Sequence, residues 1–269
     1  MSEIHPTAII DPEVSLADDV TIGPHCVLSG DITIGSGTTL IGNVYLTGKL
    51  VMGESNVVYP FTSIGFAAQD VNFSNDMAEP GIVIGNHNTF RESVTIHRAT
   101  QDRPTTIGNH NLFMTTSHAG HDCQVGNHNT IVTDVSLGGH IHVSDHVIIG
   151  GGTVVHQFVS IGTGAMIAGG IFITGDVAPH FMATGSNIIG SVNLVGMRRK
   201  NFDRTEIKER QDVYKLIYRS GNSIAKSVKA LKALGTPTSL EYVAFIEQSR
   251  KGLVPPLTET RKLKRGVAQ

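Results

Sequence analysis

From Ile10 onward, every sixth residue of the chain is aliphatic: Ile10, Leu16, Ile22, Leu28, Ile34, Leu40, Leu46, Met52, Val58 and Ile64. The series breaks and resumes as Ile84, Phe90 and Ile96. It breaks again and continues as Ile107, Phe113, Ala119, Val125, Ile131, Leu137, Val143, Ile149, Val155, Ile161, Ile167 and Ile173. Neither a helix, with period 3.6, nor an alternating strand, with period 2, produces a strict period of six. The residue after each aliphatic is often Gly, Asn, Ser or Thr. The fourth after it is small or β-branched, as at Val14, Val20, Cys26, Ile32, Val94, Cys123, Val135 and Val147. Two inward columns and one polar turn per six residues describe one side of a parallel β-helix, and three sides make a coil of 18 residues. Each coil buries its apolar columns only against its neighbours, so the array is a solenoid. The twenty-five positions predict about eight coils, roughly 40 Å of prism at the usual strand spacing. The crossover rule for parallel strands favours right-handed coils.

Because sides recur every third repeat, Ile64, Ile96, Ala119, Leu137, Val155 and Ile173 should begin the same side of successive coils. Both breaks, near 66–81 and 98–106, are then insertions leaving from that side. So do His97, His121, His140 and His156, with His118 ending the strand just before the corner. A second set, His87, His110, His128 and His146, falls on another corner, three of them in the string GNHN, with no insertion nearby. These read as turn residues beside an asparagine ladder. The loop-flanked column reads as the functional one.

After Pro179 the pattern changes. DRTE at 203–206 has the spacing of a capping box and precedes Ile207, Tyr214, Ile217 and Tyr218. Ile224, Val228 and Leu231 form a second helical stripe ended by Gly235. TSLE at 238–241 opens a third, with Leu240, Val243 and Ile246. The chain thus divides into a β-helix over 1–185 and a helical domain over 186–269.

Charge sharpens that division. The formal net charge is only −2, yet 1–197 holds just Lys49, Arg91, Arg98 and Arg103 as cations, and the other 17 of 21 lie beyond. The basic tail suits an acidic partner. No leader or membrane-length apolar run is present, and Cys26 and Cys123 make no disulfide framework. A cytoplasmic protein without stable membrane insertion is expected.

The hexads, together with IHPTAII (4–10), QDV (69–71), RESVTIHR (91–98), SHAGHDC (117–123), LGGHI (137–141), VVHQF (154–158) and VNLVGMRRKNF (192–202), resemble the hexapeptide-repeat acyltransferases, in particular those that acylate UDP-N-acetylglucosamine. The resemblance spans nearly the whole chain. It implies a left-handed parallel β-helix, against the crossover rule, and a homotrimer with active sites between neighbouring prisms. It also implies transfer of an (R)-3-hydroxyacyl group from acyl carrier protein to the 3-position of UDP-N-acetylglucosamine, the first step of lipid A biosynthesis. The acidic carrier protein gives the basic tail its partner; no cofactor, metal or nucleic acid is implied.

By the same resemblance His121 is the general base, Asp122 its orienting partner and the Gly139 N–H the oxyanion donor. His97, His118, His140 and His156 line the donor and acceptor clefts. Gln157, Asn193, Arg199 and Lys200 contact the nucleotide and its phosphates, Asp70 the sugar, and Gly169 marks the acyl-chain ruler. Asn72 stands where the family commonly has a lysine near the acceptor. A neutral amide there raises a 3-amino sugar as acceptor, set against a conservative change that keeps the hydroxyl. Cys123 occupies an inward position and reads as a small core residue rather than a nucleophile. Three other classes share the scaffold: a γ-type carbonic anhydrase with histidine-bound zinc, a CoA-dependent acetyltransferase, and a structural solenoid whose tail docks partners.

Overall fold

A computed structural model describes residues 3–74 and 80–257. Its strands stack into three parallel sheets of 11, 9 and 8 members, with every third strand on the same face. This is the expected β-helix, and its register is the expected one. On the second face Ile64, Ile96, Ala119, Leu137, Val155 and Ile173 pair in that order, coil on coil. Apart from Ile10 and Leu16 at the open first coil, all the six-residue aliphatics are buried, forming one continuous column of core.

The sheets run further than eight coils. A strand Glu3–Ile4 precedes the first hexad and pairs with Thr21–Ile22. Beyond the last hexad, Phe181–Gly185 pairs parallel with Met166–Ile167, and Ile188–Val192 folds back antiparallel onto it. Ile4 lies six residues before Ile10, in phase with the hexads, whereas the last hairpin carries no six-residue signal. Ile4 is largely exposed at the rim, and the terminal hairpin alternates instead of turning every six residues.

Four helices follow: α1 (Leu194–Arg199), α2 (Arg204–Tyr218), α3 (Ile224–Leu234) and α4 (Pro237–Gln248). The capping box forms at α2, where Asp203 accepts from the Glu206 N–H and Glu206 accepts from the Asp203 N–H. Gly235 ends α3 in the left-handed region, at φ 66°. α4 begins one position before the TSLE string: Thr236 is its cap and Pro237 its first residue, where a missing N–H costs no hydrogen bond. α1 lies in the stretch that reads from sequence as a polar connection. It is a single short turn-and-a-half capped by Asn193, too brief for a helical stripe. The helices sit on the last coil through Tyr214, Tyr218 and Tyr242, whose rings surround Phe181 at 5.4–5.6 Å. The Tyr242 hydroxyl donates to the Pro179 carbonyl. Among the described residues, no helix is long and apolar enough to cross a membrane.

Candidate active site

On three successive coils the chain turns from the second face to the third through four residues, and the third of these sits in the left-handed region. Asp122 (φ 60°), His140 (φ 59°) and Phe158 (φ 68°) occupy it on successive coils. The position before it holds His121, Gly139 and Gln157. A short polar loop has therefore been stacked so that His121 lies over a coil with no side chain beneath it. A Cβ placed on Gly139 would lie 2.5 Å from His121 Nε2 and Cε1, so the imidazole fills the space that glycine leaves. The backbone of Gly139 is not strained; the requirement is one of room. Among the described residues, the buried Gly139 N–H finds no acceptor within the chain.

His121 Nδ1 lies 2.7 Å from Asp122 Oδ2. A carboxylate only accepts, so in the neutral ring Nδ1 carries the proton and Nε2 has the free lone pair. Burial pushes the Asp122 carboxyl up. Hydrogen bonds from His121, from Thr100 and from the Gln101 N–H outweigh it and hold the group down at about 2. His140 stacks on Phe158 at 4.5 Å and meets His121 edge to face at 5.0 Å. Burial lowers its basicity; Asp122, and Asp70 from the first insertion, act in the opposite sense. His118 shares a 2.8 Å hydrogen bond with Thr95 Oγ1 and packs edge to face on His97. Burial, reinforced by His97 and His121, drives it down to about 4. His97 Nδ1 is buried without a hydrogen-bond partner. Both rings are neutral at physiological pH.

One corner thus brings together His97, His118, His121, Asp122, Gly139 and His140. His156 and Gln157 lie on it one coil further, exposed, with His156 Nδ1 3.2 Å from the Gln157 carbonyl. Asp70 approaches from the first insertion, where its carboxylate accepts the Asn72 N–H and leaves Asn72 exposed. The remainder of that insertion, 75–79, lies outside the described residues.

Other expected site residues stand elsewhere. Lys200 ends α1 at the corner between the third and first faces, in a cavity of about 610 Å³ shared with His146, His180, Phe202, Arg210 and Glu241. Arg199 precedes it on the same helix. Asn193 is buried, with both side-chain groups engaged: it accepts from the Gly196 N–H and donates to the Gly164 carbonyl. Gly169 lies on the third corner, where a Cβ would meet the Gly151 carbonyl at 2.9 Å, so packing between coils by itself demands a glycine there. Cys123 is fully buried, its thiol pushed up to about 12 by desolvation, and it donates to the Gly138 carbonyl. It is an inert core residue.

The ligand-bearing atoms of His121, Asp122 and His140 lie within 4.8 Å of one another, a spacing compatible with a metal ion. The Asp122 oxygens, however, already accept from Thr100, Gln101 and His121. The donor set fits an oriented histidine better than an open zinc site. Sequence reasoning missed Thr100, Gln101 and Phe158. The two loop residues lie in an insertion without periodicity, whereas Phe158 could have been found by counting 18 from His140.

Residues 176–254 match the family model for UDP-N-acetylglucosamine O-acyltransferase, domain 2. Acyl-(acyl-carrier-protein)–UDP-N-acetylglucosamine O-acyltransferase from Ectopseudomonas mendocina is 40% identical over 94% of this chain and 99% of its own length. The enzyme of that name from Pseudomonas savastanoi pv. phaseolicola is 40% identical over 94% and 100%. Among solved structures, LpxA from Acinetobacter baumannii superposes with a TM-score of 0.90 at 38% identity, covering 93% of this chain and 99% of that one. The Francisella novicida UDP-N-acetylglucosamine acyltransferase gives 0.92 at 31%, covering 96% and 95%. With such likeness running over nearly its whole length, the chain belongs to the acyl-(acyl-carrier-protein)–UDP-N-acetylglucosamine O-acyltransferase family.

Proposed function

We propose that this protein transfers an (R)-3-hydroxyacyl group from acyl carrier protein to the 3-hydroxyl of UDP-N-acetylglucosamine, the opening step of lipid A assembly. The observation that carries the reading is the stacking of His121 on Gly139 with Nδ1 held by Asp122. Nε2 takes the proton of the acceptor hydroxyl as its oxygen attacks the thioester carbon. The developing oxyanion meets the Gly139 N–H, whose position in a buried, fixed turn needs no reorganisation. Collapse expels the carrier's thiolate, and the imidazolium, steadied by Asp122, returns the proton to sulfur. His97, His118 and His140, neutral at this pH, line the cleft without adding charge.

Arg199 and Lys200 stand at another corner from His121, so one chain does not gather the whole acceptor site. A homotrimer in which a neighbour's α1 faces the histidine corner resolves this, and mixing provides its test. Combining inactive His121→Ala chains with inactive Lys200→Ala chains restores activity if the site is shared between chains and restores none if it is not. The carrier protein docks on the exposed cations of the helical region, including Arg204, Arg219, Lys226 and Lys229. Further cations, 261–265, lie outside the described residues. The protein acts in the cytoplasm, where acyl carrier protein is available.

Assay with (R)-3-hydroxyacyl carrier protein and UDP-N-acetylglucosamine tests the proposal. Turnover of acetyl-CoA in place of the carrier, or stoichiometric zinc with carbon dioxide hydration, would overturn it. Competition against the 3-amino sugar reads the effect of Asn72, and preference for the amine would reassign the acceptor atom.

A further inference from the structure

The second insertion has no counterpart in the hexad pattern, and its residues converge on one group. Ala99 and Thr100 turn inward and are buried. The Thr100 N–H straddles both oxygens of Asp122 at 3.0 and 3.2 Å, the Thr100 hydroxyl donates to Oδ2 at 2.7 Å, and the Gln101 N–H donates to Oδ1 at 3.0 Å. The loop also grips the backbone of the same residue: the Asp122 N–H donates to Thr105 Oγ1 at 2.8 Å. Its far end is pinned by Gln124, whose amide donates to the Pro104 carbonyl at 2.7 Å. Among the described residues, every hydrogen-bond donor on the Asp122 carboxylate other than His121 comes from this insertion.

Resting on the proposed role of His121, we infer that the insertion is a positioning clamp and Thr100 its specific positioning residue, fixing the Asp122 carboxylate on Nδ1 of His121. A carboxylate on a turn residue has freedom about two side-chain bonds. With donors on both oxygens it has one orientation, with its remaining lone pair directed at the imidazole. Against burial, the bond from His121 together with these donors holds the carboxyl at about 2, so it stays ionised beside the imidazole throughout the pH range of the enzyme. Loss of the hydroxyl donor leaves the backbone N–H groups but loosens the hold on Oδ2, and His121 then reaches the imidazolium with a less firmly fixed counter-charge. Thr100 is buried against Asp122, so the change should leave substrate binding intact.

A double-mutant cycle tests this. Thr100→Val keeps the shape and removes the Oγ1 donor. It should lower kcat about 10-fold, the scale of a hydrogen bond to a charged group, with both KM values within about 2-fold. Thr100→Ser should recover most of the rate, because it keeps the donor. In an Asp122→Asn background, Thr100→Val should change kcat by less than about 2-fold, since a clamp has nothing left to hold. Should the valine variant not fold, Thr100→Ala takes its place in the cycle. Wild-type kcat in the Thr100 variant with an impaired Asp122→Asn overturns the clamp alone. An undiminished loss in the Asp122→Asn background, or a loss confined to KM, also overturns it. Full activity of Asp122→Asn removes the orienting role of Asp122 and the clamp with it.

Discussion

Two corners of one prism carry stacked histidines, and they have been put to opposite uses. At the corner between the third and first faces, His87, His110, His128 and His146 stack with centroids 4.7–4.9 Å apart and nearly parallel planes. Two ladders flank them. Asn86, Asn109, Asn127 and Asp145 each accept an N–H from the coil before, and Asn56, Asn88, Asn111 and Asn129 each accept from the coil after. Every one of these turn N–H groups is consumed internally. At the histidine corner the matching position is Gly139: no side chain reaches its N–H, and His121 occupies the vacated space. A turn that satisfies its own backbone is a structural post; the same turn with a ladder residue replaced by glycine leaves a backbone donor unengaged and room for an imidazole.

Substitutions at matched positions separate the two roles. The largest effect is expected for His121→Gln, about a 10³-fold loss of kcat/KM with the carrier-protein assay, the usual scale for a general base. Next is Gly139→Ala, about 10²-fold, because the new methyl displaces the imidazole. On the asparagine corner Gly108→Ala, one position earlier in its turn, puts a methyl 2.5 Å from the Gly126 carbonyl; it should lower the denaturation midpoint and spare the activity of the folded enzyme. Asn111→Ala strands a buried N–H of Asn129 and the Gly126 carbonyl. It should cost about 3 kcal/mol of stability, read by denaturant unfolding, again without change in kcat.

A smaller effect follows from pH. His118, beside the histidine corner, and His180, in the cavity at the other, are both held at about 4 chiefly by burial. The unfolded chain binds these protons near pH 6.5 and the folded one only near 4, so stability should fall as pH drops through that interval. The melting temperature across it measures the fall, and His118→Gln and His180→Gln should each make it smaller, with His97 and His140, lowered in the same sense, supplying part of the rest. The smallest change is predicted for His110→Gln, within about 2-fold in kcat/KM. A loss there as large as that at His121 would erase the distinction between the corners.

The six-residue period made the coils, the three faces and the register legible before any coordinates, because each aliphatic column must be continuous to be buried. It also placed the insertions and the histidines on one corner. What stayed hidden had no period. The C-terminal hairpin lacks a hexad, α1 is too short for a stripe, and the Thr100 and Gln101 donors sit in a loop whose conformation depends on the coil beneath it. The separation of Lys200 from His121 was equally invisible, since motif matching ranks residues by string and not by corner. Asn193 illustrates the same limit: its string suggests nucleotide contact, while its atoms cap α1 and tie it to the Gly164 carbonyl.

The most direct measurement is a crystal structure with the acylated UDP-sugar bound. The account places the newly acylated heteroatom within about 3 Å of His121 Nε2 and the acyl carbonyl oxygen at a similar distance from the Gly139 N–H. A product whose ester linkage lies against the asparagine corner, with His121 Nε2 out of reach, would contradict it.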